Sequence, residues 1–482
     1  MKEISLKSNV ILSLIYQILT LIMPFITAPY ISRILGADGI GIYSYTYSFQ
    51  MYFSMFATLG TLTYGSREIA RVRNIREKRS ILFWEIELLT VITTIVCLIV
   101  WFMFLYIQKK YKIYYLILSI NILAIIFDIS WFYSGIERFK YIVLQNLLFK
   151  ILGIIAIFLF VKSKECLPHY MTIIVLSTIL SNISMWFYLP KYIQRVKWKK
   201  LKIFHHFKET LIYFIPTIAT SLYTVLDKTL IGAITGDSFE NGYYEQATKI
   251  INMAKSVSFT ALNNVLGSRM SYLYAEKKYD EIKKRTNQSL SYITFMGSGV
   301  LFGIAGTAPR LIPWFFGDGY EPVIQLLRIL SPIVIIIGIS NCIGSHYYTP
   351  IGLRSLSAKF LIAGSVVNLC LNCILIPKYK SYGAAVASVA AESVITVLYF
   401  LYCNNFITIR QLLSNLWKRI VAGIIMFLLI SFVNVLIQNN TLAVILEIMF
   451  GFLSYVLILF CLKDDFVIQI VSIIRQTLKA SD

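Results

Sequence analysis

Charged residues are scarce in this sequence. They make up 14% of the 482 residues, whereas soluble globular domains carry about 25%. Hydrophobic residues make up 57%, and the mean hydropathy is +0.71. A chain with so few charges has no stretch in which a soluble catalytic domain could fold. The composition therefore excludes a soluble protein and places the chain in lipid.

Histidine is also rare, and the cysteines form no framework. The four histidines show no HExxH or other paired-ligand pattern, which the common zinc sites require. The seven cysteines lie in apolar runs. Even Cys370 and Cys373 fall inside a predicted span, where packing is their expected role. We therefore expect no metal, no cofactor and no catalytic residue; the ion we expect is a coupling ion, Na⁺ or H⁺.

Acidic residues are outnumbered, with 24 against 45 lysines and arginines, which gives a net charge of +21. Such a charge can indicate nucleic-acid binding, so the positions of the basic residues decide its meaning. If the N-terminus is cytosolic, 30 of the 45 lie in segments that face the cytosol and nine in outer loops and helix ends. This bias is the positive-inside pattern of membrane proteins. It predicts that both termini are cytosolic, and it makes a nucleic-acid partner unnecessary.

Long apolar runs fill the rest of the chain. A span needs about 20 apolar residues to cross roughly 30 Å of hydrocarbon, and fourteen such runs follow one another between residues 10 and 462. The first run is too long for the apolar core of a signal peptide and lacks a small-residue cleavage site, so we expect it to remain as span 1. The predicted fold class is an all-α integral membrane protein with about 14 transmembrane helices.

Two short motifs occur twice at nearly the same separation. Gly41-Ile-Tyr43 opens span 2, and Gly242-Tyr-Tyr244 opens span 8, 201 residues later. Gly65-Ser-Arg67 and Gly267-Ser-Arg269 close the same two spans, 202 residues apart. The repeat predicts two parallel six-helix lobes around a central cavity, followed by two C-terminal helices, which is a transporter architecture. The predicted domains are an N-terminal lobe at 1–190, a basic cytosolic linker at 191–209, a C-terminal lobe at 210–403, and helices 13 and 14 with a cytosolic tail at 404–482.

Four segments, spread over most of the chain, resemble segments that occur in the same order in one family of membrane proteins. They include the run Asp128-Ile-Ser-Trp131-Phe-Tyr-Ser-Gly135-Ile-Glu137. Together they resemble the polysaccharide transporter family, the Wzx-type flippases of the MATE, oligosaccharide and peptidoglycan-precursor exporter superfamily. The segments are Tyr30–Tyr43, Asp128–Glu137, Phe316–Pro332 and Asn368–Glu392.

The resemblance implies a function and its partners. A member of this family moves undecaprenyl-pyrophosphate-linked oligosaccharide repeat units from the cytosolic to the outer leaflet of the bacterial plasma membrane. It does so by alternating access, with cation coupling, for capsule or O-antigen-type polysaccharide biosynthesis. The implied partners are this lipid-linked oligosaccharide, the membrane lipids and polysaccharide polymerase machinery.

Three other functions compete with a flippase. A multidrug or other small-molecule antiporter of the same superfamily would favour acidic residues in its cavity, whereas the intramembrane charges here lean basic. A membrane-embedded polymerase or glycosyltransferase would need a long extramembrane loop with catalytic residues. The longest loop, at 191–209, is basic and predicted to be cytosolic. An uptake permease remains open on architecture alone.

A lipid-linked pyrophosphate needs cationic and amide donors along its path, because burying unpaired phosphate charge is prohibitively costly. Polar residues recur at steps of three or four along span 8 and form one stripe. Lys249 belongs to this stripe, and Lys255 forms a second polar edge with Ser258 and Arg269. Lys249 and Lys255 are the leading candidates. An alternative is that the stripe only holds the helix against its lobe by hydrogen bonds. The candidate substrate-binding residues are Lys249, Lys255, Asn252, Ser256, Asn263, Lys150, Lys228 and Arg328.

Two i, i+4 pairs predict a cation site in the C-terminal lobe. Asn368 and Asn372 share one face of span 11, and Ser388 and Glu392 share one face of span 12. Asp227 of span 7 is the candidate source of further charge. The resemblance adds that the related lipid II flippases place an ion site among these helices, although this chain has two amides in span 11 where those relatives use a carboxylate at the second position. The alternative is that Asp227 pairs with Lys228 or a neighbouring helix.

Three further residues have more than one reading. Asp128 is a candidate gate or interlobe contact, or else a helix cap. Arg33 is a candidate for the same gate, although an arginine near a helix end also reaches the interface by snorkelling. Trp131 is expected in the aromatic belt at the membrane interface rather than as a platform for sugar.

Overall fold

The computed structural model describes residues 6–260, 269–403, 406–436 and 440–481. This part of the chain is almost wholly helical and contains no β-strand, so the predicted all-α class is confirmed. The helices are α1 Leu6–Thr58, α2 Thr61–Val72, α3 Arg76–Ile107, α4 Lys112–Leu123, α5 Ser130–Gly135, α6 Phe139–Phe160, α7 Leu167–Trp186, α8 Phe207–Thr235, α9 Ser238–Lys255, α10 at 269–275, α11 Tyr279–Phe316, α12 Glu321–Leu330, α13 Ile333–Ile343, α14 Arg354–Leu401, α15 Ile409–Leu436, α16 Asn440–Cys461 and α17 Asp465–Ser481.

Two of these helices are each a pair of helices joined by a sharp break. A straight helix of the 53 residues of α1 would be roughly 80 Å long, far more than a bilayer needs. The break lies at Gly36, where φ is 66° and ψ is 177°. In α14 it lies at Lys380, where φ is 50° and ψ is −129°. The two arms of α1 correspond to predicted spans 1 and 2, and those of α14 to spans 11 and 12.

The helices present apolar side chains outward, as a membrane protein must. Within the described part of the chain, nine helical segments are long and apolar enough to cross a membrane. Large side chains such as Phe102, Met103 and Leu159 are exposed on them. The prediction of a multi-pass membrane protein is therefore confirmed, while the count of fourteen spans stays a prediction.

Packing divides the chain into two units. The first comprises Met1–Gly232 with Asp237–Gly242, and the second comprises Ala233–Gly236 with Tyr243–Asp482. α8 thus belongs to the first unit, whereas the repeat assigns residues 210–403 to the C-terminal lobe. The contacts of α8 explain the difference, since the hydroxyl of Tyr52 on α1 lies 3.1 Å from that of Thr229. The predicted lobe boundary at residue 210 follows the sequence repeat. The boundary between the packed units falls later in the chain, between residues 232 and 243.

The linker at 191–209 is fixed to the first unit by buried polar contacts. His206 Nδ1 lies 2.7 Å from the hydroxyl of Tyr64, and its Nε2 lies 2.9 Å from Glu85 on α3. The other oxygen of Glu85 accepts a hydrogen bond from the backbone N–H of Lys202 at 2.7 Å. His206 and Glu85 therefore both have polar partners, and the entry to α8 is held against α3.

An aromatic cluster forms part of the core of the first unit and explains one segment of the family resemblance. Trp131 is 2% exposed, and its ring stacks on Phe83 with 5.6 Å between centroids. Trp131 also packs so closely on α2 that a Cβ on Gly65 would meet its ring at 2.5 Å. The expectation that Trp131 lies in the interfacial belt is therefore wrong, because the Gly65 motif leaves space for this ring inside the unit.

The sequence repeat is visible in the backbone. Gly36 and Gly236, 200 residues apart, both have φ of 66°. Asp38 and Ser238 each lie two residues after one of these glycines, and the Ser238 hydroxyl donates a hydrogen bond to the Asp38 carboxylate. The repeat-related glycines then touch, since a Cβ on Gly41 would overlap the carbonyl oxygen of Ser238 and one on Gly242 would overlap that of Ala37. Only glycine permits two helix starts to approach this closely.

The second unit is built around α11, against which α15 and α16 pack. Its core includes Phe295, Met426 and Tyr455. Arg419 and Asp464 form a fully buried ion pair at 3.0 Å, and Arg419 also donates to the carbonyl oxygen of Ser291 at 2.7 Å. The two C-terminal helices are therefore an integral part of this unit and not a loose appendage.

Candidate functional site

The first residues of the predicted polar stripe, and Lys255 of the second polar edge, lie on α9. Lys249 and Lys255 are half-buried and Asn252 is exposed. Ser256, also half-buried, donates its hydroxyl hydrogen bond to the carbonyl oxygen of Asn252 at 2.9 Å. This hydroxyl is thus satisfied by its own helix. Asn263 lies outside the described residues.

The helical period changes immediately after Lys255. Residues Ser256–Thr260 form a π-helical turn, in which the backbone bonds run from i to i+5 instead of i to i+4. The prediction used a constant period of 3.6 residues. The α-helical period holds from Lys249 to Lys255 and changes at Ser256. The positions that share a face beyond Lys255 therefore do not follow from a spacing of three or four residues.

Lys255 lies within electrostatic range of the predicted cation site. Within the second unit, it interacts electrostatically with Glu392 on the second arm of α14. Lys255 was predicted as a substrate residue and Glu392 as a cation residue. One residue from each of the two predicted sites thus lies within electrostatic range of the other in the second unit.

The two arms of α14 bring together four of the five predicted cation residues. Gly364 packs against Ile395, and Gly383 packs against Leu375, so the arms lie side by side. These contacts bracket the residues in question. The side chains between them are buried, and Asn372 Nδ2 donates to Asn368 Oδ1 at 3.0 Å. The four residues are Asn368, Asn372, Ser388 and Glu392.

Tyr244 is a member of this group that sequence reasoning missed. Its hydroxyl lies 3.0 Å from that of Ser388, and both side chains are buried. Tyr244 belongs to the repeated glycine-tyrosine motif, which was read only as a sign of internal repetition. Asp227, the fifth predicted residue, is 5% exposed on α8 in the first unit.

The remaining predicted bases occupy separate places. Arg328 on α12 is half-buried, and its Nε donates to the carbonyl oxygen of Ala305 at 3.3 Å, which ties α12 to α11. Lys150 on α6 and Lys228 on α8 are half-buried in the first unit. The structure therefore associates Lys255 with the residues of α14, and it does not bring Lys150, Lys228 and Arg328 together within one unit.

The two candidate gate residues differ in their surroundings. Asp128 is half-buried between α4 and α5, and its Oδ1 accepts a hydrogen bond from the backbone N–H of Ser130 at 3.0 Å. The bond closes a turn from Asp128 to Ser130, the first residue of α5, whose N-cap position is occupied by Ile129. The gate and helix-cap roles of Asp128 stay predictions. Arg33 is exposed on the first arm of α1, three residues before the break at Gly36.

A polar cavity in the first unit was not predicted. It has a volume of about 370 Å³ and lies among α1, α2, α4, α7 and α8. Isolated amides in apolar spans were the available signal, since polar side chains inside a membrane are costly and often functional. The residues that line the cavity are Tyr47, Gln50, Met51, Tyr52, Ser54, Met55, Thr58, Gly60, Leu62, Thr63, Asn121, Ala124, Ile125, Asp128, Thr178, Asn182 and Val225.

The family of the chain follows from a match over more than half its length. Residues 6–271 match the family described as polysaccharide biosynthesis protein. The chain belongs to this family. Membership confirms the resemblance to the Wzx-type transporters.

Two relatives of this family member have names that state an activity. A protein of Escherichia coli strain K12 named "Putative O-antigen transporter" is 24% identical over 84% of this chain and 98% of its own length. A protein of Haloferax volcanii named "Probable low-salt glycan biosynthesis flippase Agl15" is 24% identical over 50% of this chain and 51% of its own length.

Solved structures share the fold. A lipid II flippase MurJ in an inward closed conformation superposes with a TM-score of 0.76 at 17% identity, covering 95% of this chain and 99% of that chain. An inward-facing MATE family multidrug transporter superposes with a TM-score of 0.54 at 14% identity, covering 79% and 97%. At these identities the likeness concerns the fold alone.

Proposed function

We propose that this protein is a flippase that moves an undecaprenyl-pyrophosphate-linked oligosaccharide across the bacterial plasma membrane for surface polysaccharide assembly. The observation that carries the proposal is that half-buried Lys255 lies within electrostatic range of buried Glu392 on membrane helices of the second unit. The match to a putative O-antigen transporter over nearly its whole length supports the choice of cargo.

Half-buried lysines suit an anionic headgroup. The isoprenoid tail of such a lipid can stay in the bilayer, but its pyrophosphate needs charged donors wherever it leaves water. An ammonium group provides three N–H donors and a full charge. Lys249 and Lys255 lie six residues apart on α9, about 1.7 turns, so one helix offers two such groups at positions roughly 120° apart around its axis.

The Lys255–Glu392 interaction also provides a route to cation coupling. The negative charge of Glu392 would offset part of the attraction of Lys255 for a pyrophosphate. A Na⁺ or H⁺ that binds Glu392 neutralises the carboxylate and frees Lys255 for the substrate. Cation and lipid therefore favour each other's binding, which is the reciprocal coupling that a transport cycle needs. Asn368, Asn372 and Ser388 would supply neutral oxygen ligands to a Na⁺ ion.

The membrane potential favours export once the headgroup charge is solvated. Moving negative charge outward from a negative interior releases about 2.3 kcal/mol per charge for each 100 mV. The barrier is then the transfer of the headgroup out of water. Under this proposal, the lysines determine loading of the substrate more than they determine the driving force.

An antiporter for organic cations is the second candidate. Asp128 lines the cavity of the first unit, where no Lys, Arg or His is among the described lining residues. A carboxylate in such a cavity would attract a positive charge. This function would use the first unit, whereas the flippase function depends on Lys255 in the second.

The decisive test is complementation. A strain that makes the lipid-linked repeat unit of the source organism but lacks its flippase would receive the full-length chain. Surface polysaccharide should return, and lipid-linked repeat units should no longer accumulate in the cytosolic leaflet. If the protein reached normal levels in the membrane but surface polysaccharide did not return and the lipid-linked units still accumulated, the proposal would be overturned.

A further inference from the structure

The cavity of the first unit differs in chemistry from the predicted site of the second. Its lining combines three amide side chains, several hydroxyls and two tyrosines, with one carboxylate. We infer that this cavity is a binding subsite for sugar residues of the transported lipid, and that these sugars are uncharged and rich in hydroxyl groups. The inference rests on the proposed flippase function and adds to it the part of the substrate that this unit recognises.

The lining is unsuited to a phosphate group. None of the described residues around the cavity is Lys, Arg or His, and the one charged side chain, Asp128, is negative. Unpaired phosphate would be repelled there and would lose its hydration without compensation. The cavity therefore selects a different part of a lipid-linked oligosaccharide from the pyrophosphate.

Amide side chains can hydrogen-bond well to sugar hydroxyls, because an amide group and a hydroxyl group each carry both a donor and an acceptor. Gln50, Asn121 and Asn182 come from three helices, α1, α4 and α7, and surround one space. A packing role alone would be filled by apolar side chains at lower cost in a membrane protein. Three convergent amides therefore indicate a ligand with several hydrogen-bonding groups.

These amides are held in fixed positions. Asn121 Nδ2 donates to Gln50 Oε1 at 3.2 Å, and Asn182 Nδ2 donates to the carbonyl oxygen of Ala124 at 2.9 Å. Each bond uses one of the two amide hydrogens and leaves the side-chain oxygen of the donor and its second N–H for a ligand. Donors and acceptors that are fixed before binding reduce the entropy lost when the ligand arrives.

Two tyrosines complete the lining. Tyr47 and Tyr52 are half-buried on the second arm of α1, and the hydroxyl of Tyr52 is anchored 3.1 Å from that of Thr229. A phenol ring offers an apolar face together with a polar tip. A sugar ring likewise has C–H faces and a hydroxyl edge, so the tyrosines and the amides match its two kinds of surface.

The size of the cavity limits what it selects. Its volume of about 370 Å³ lies at the low end of the roughly 300 to 1,000 Å³ typical of small-molecule sites. A space of this size takes a part of an oligosaccharide repeat unit and leaves the rest outside. We expect the cavity to distinguish lipids that carry the repeat unit from the same lipid without sugar.

Binding of two lipids to the full-length protein in nanodiscs tests the inference. One probe is undecaprenyl pyrophosphate bearing the repeat unit of the source organism, and the other is undecaprenyl pyrophosphate without sugar. The native protein should bind the first more tightly. Asn121→Ala and Asn182→Ala should each weaken that binding about five- to tenfold, the effect of losing one or two neutral hydrogen bonds. Both variants should bind the sugar-free lipid as the native protein does, which also shows that they are folded.

A matched amide provides the control. Asn146 on α6 is half-buried but does not line the cavity, and it accepts a hydrogen bond from Ser181 at 3.1 Å. Asn146→Ala should keep the preference for the sugar-bearing lipid. Unchanged preference in both cavity variants would overturn the subsite while leaving the flippase proposal intact. Failure of the native protein to bind either lipid would contradict the proposed function itself. Binding of tetraphenylphosphonium that is lost in Asp128→Asn would assign the cavity to organic cations and overturn the inference.

Discussion

Lys255, the last residue of α9, interacts electrostatically with Glu392 on the second arm of α14. Each belongs to a different predicted site, and both lie in the second unit. Under the proposed function, this pair would link the binding of substrate and cation, because Lys255 cannot interact fully with Glu392 and with a pyrophosphate at the same time.

Glu392→Gln should separate substrate binding from cation coupling. The substitution keeps the size of the side chain and removes the charge that competes for Lys255. Binding of undecaprenyl pyrophosphate should become several-fold tighter, and export should lose its dependence on Na⁺ or H⁺. Glu276→Gln, at an exposed glutamate, is the matched control and should behave like the native protein. Native ion dependence in both Glu392→Gln and Asp227→Asn would rule out the cation site.

Gly41 and Gly242 should tolerate no side chain. In both Gly41→Ala and Gly242→Ala the new methyl group would overlap a backbone carbonyl oxygen, so the two helix starts must move apart. We expect clear losses of thermal stability and of protein in the membrane. Gly303→Ala is the control, since the nearest atom to its Cβ would be 3.9 Å away, and alanine favours a helix by roughly 0.5 to 1 kcal/mol. Equal melting temperatures in all three variants would contradict the close approach.

Arg419→Met should strongly destabilise the second unit. It would leave Asp464 buried without its partner, which typically costs about 3 to 5 kcal/mol. The double variant Arg419→Met with Asp464→Leu removes both charges and should recover much of the lost stability. Thermal unfolding in detergent measures both. A single variant as stable as the native protein would show that the ion pair contributes little.

Labelling of introduced cysteines should establish the orientation. In a background without reactive native cysteines, Lys199→Cys in the linker should be protected from a membrane-impermeant maleimide in intact cells. Lys162→Cys, in a predicted outer loop, should react. Both positions are exposed, so accessibility differs only through the membrane. Labelling of residue 199 from outside would reverse the predicted topology.

Composition and spacing predicted the parts of the structure that depend on local chemistry. The apolar runs predicted membrane helices, and the i, i+4 spacing placed Asn368 with Asn372 on one buried face, where the structure has them hydrogen-bonded. The repeated glycines proved to be points of contact as well as marks of duplication. These features follow from helix geometry, which a sequence states directly.

Other features depend on how helices are rotated and packed, which one sequence does not state. The electrostatic interaction of Lys255 with Glu392 joins two residues 137 apart in sequence, and their proximity depends on the packing of α9 and α14. The π turn at Ser256–Thr260 ended a period that was assumed constant. Trp131 was assigned to the membrane interface because nothing in its own segment revealed the space that Gly65 leaves for it.

Transport by the purified protein tests the central claim most directly. Full-length protein in proteoliposomes would be supplied with the undecaprenyl-pyrophosphate-linked repeat unit, and a membrane-impermeant lectin would report sugar on the outer leaflet over time. The native protein should move the lipid much faster than protein-free liposomes do. Lys255→Ala should reduce the rate at least tenfold, while Lys283→Ala, at an exposed lysine on α11, should not. Equal rates with the native protein and with empty liposomes would contradict the account.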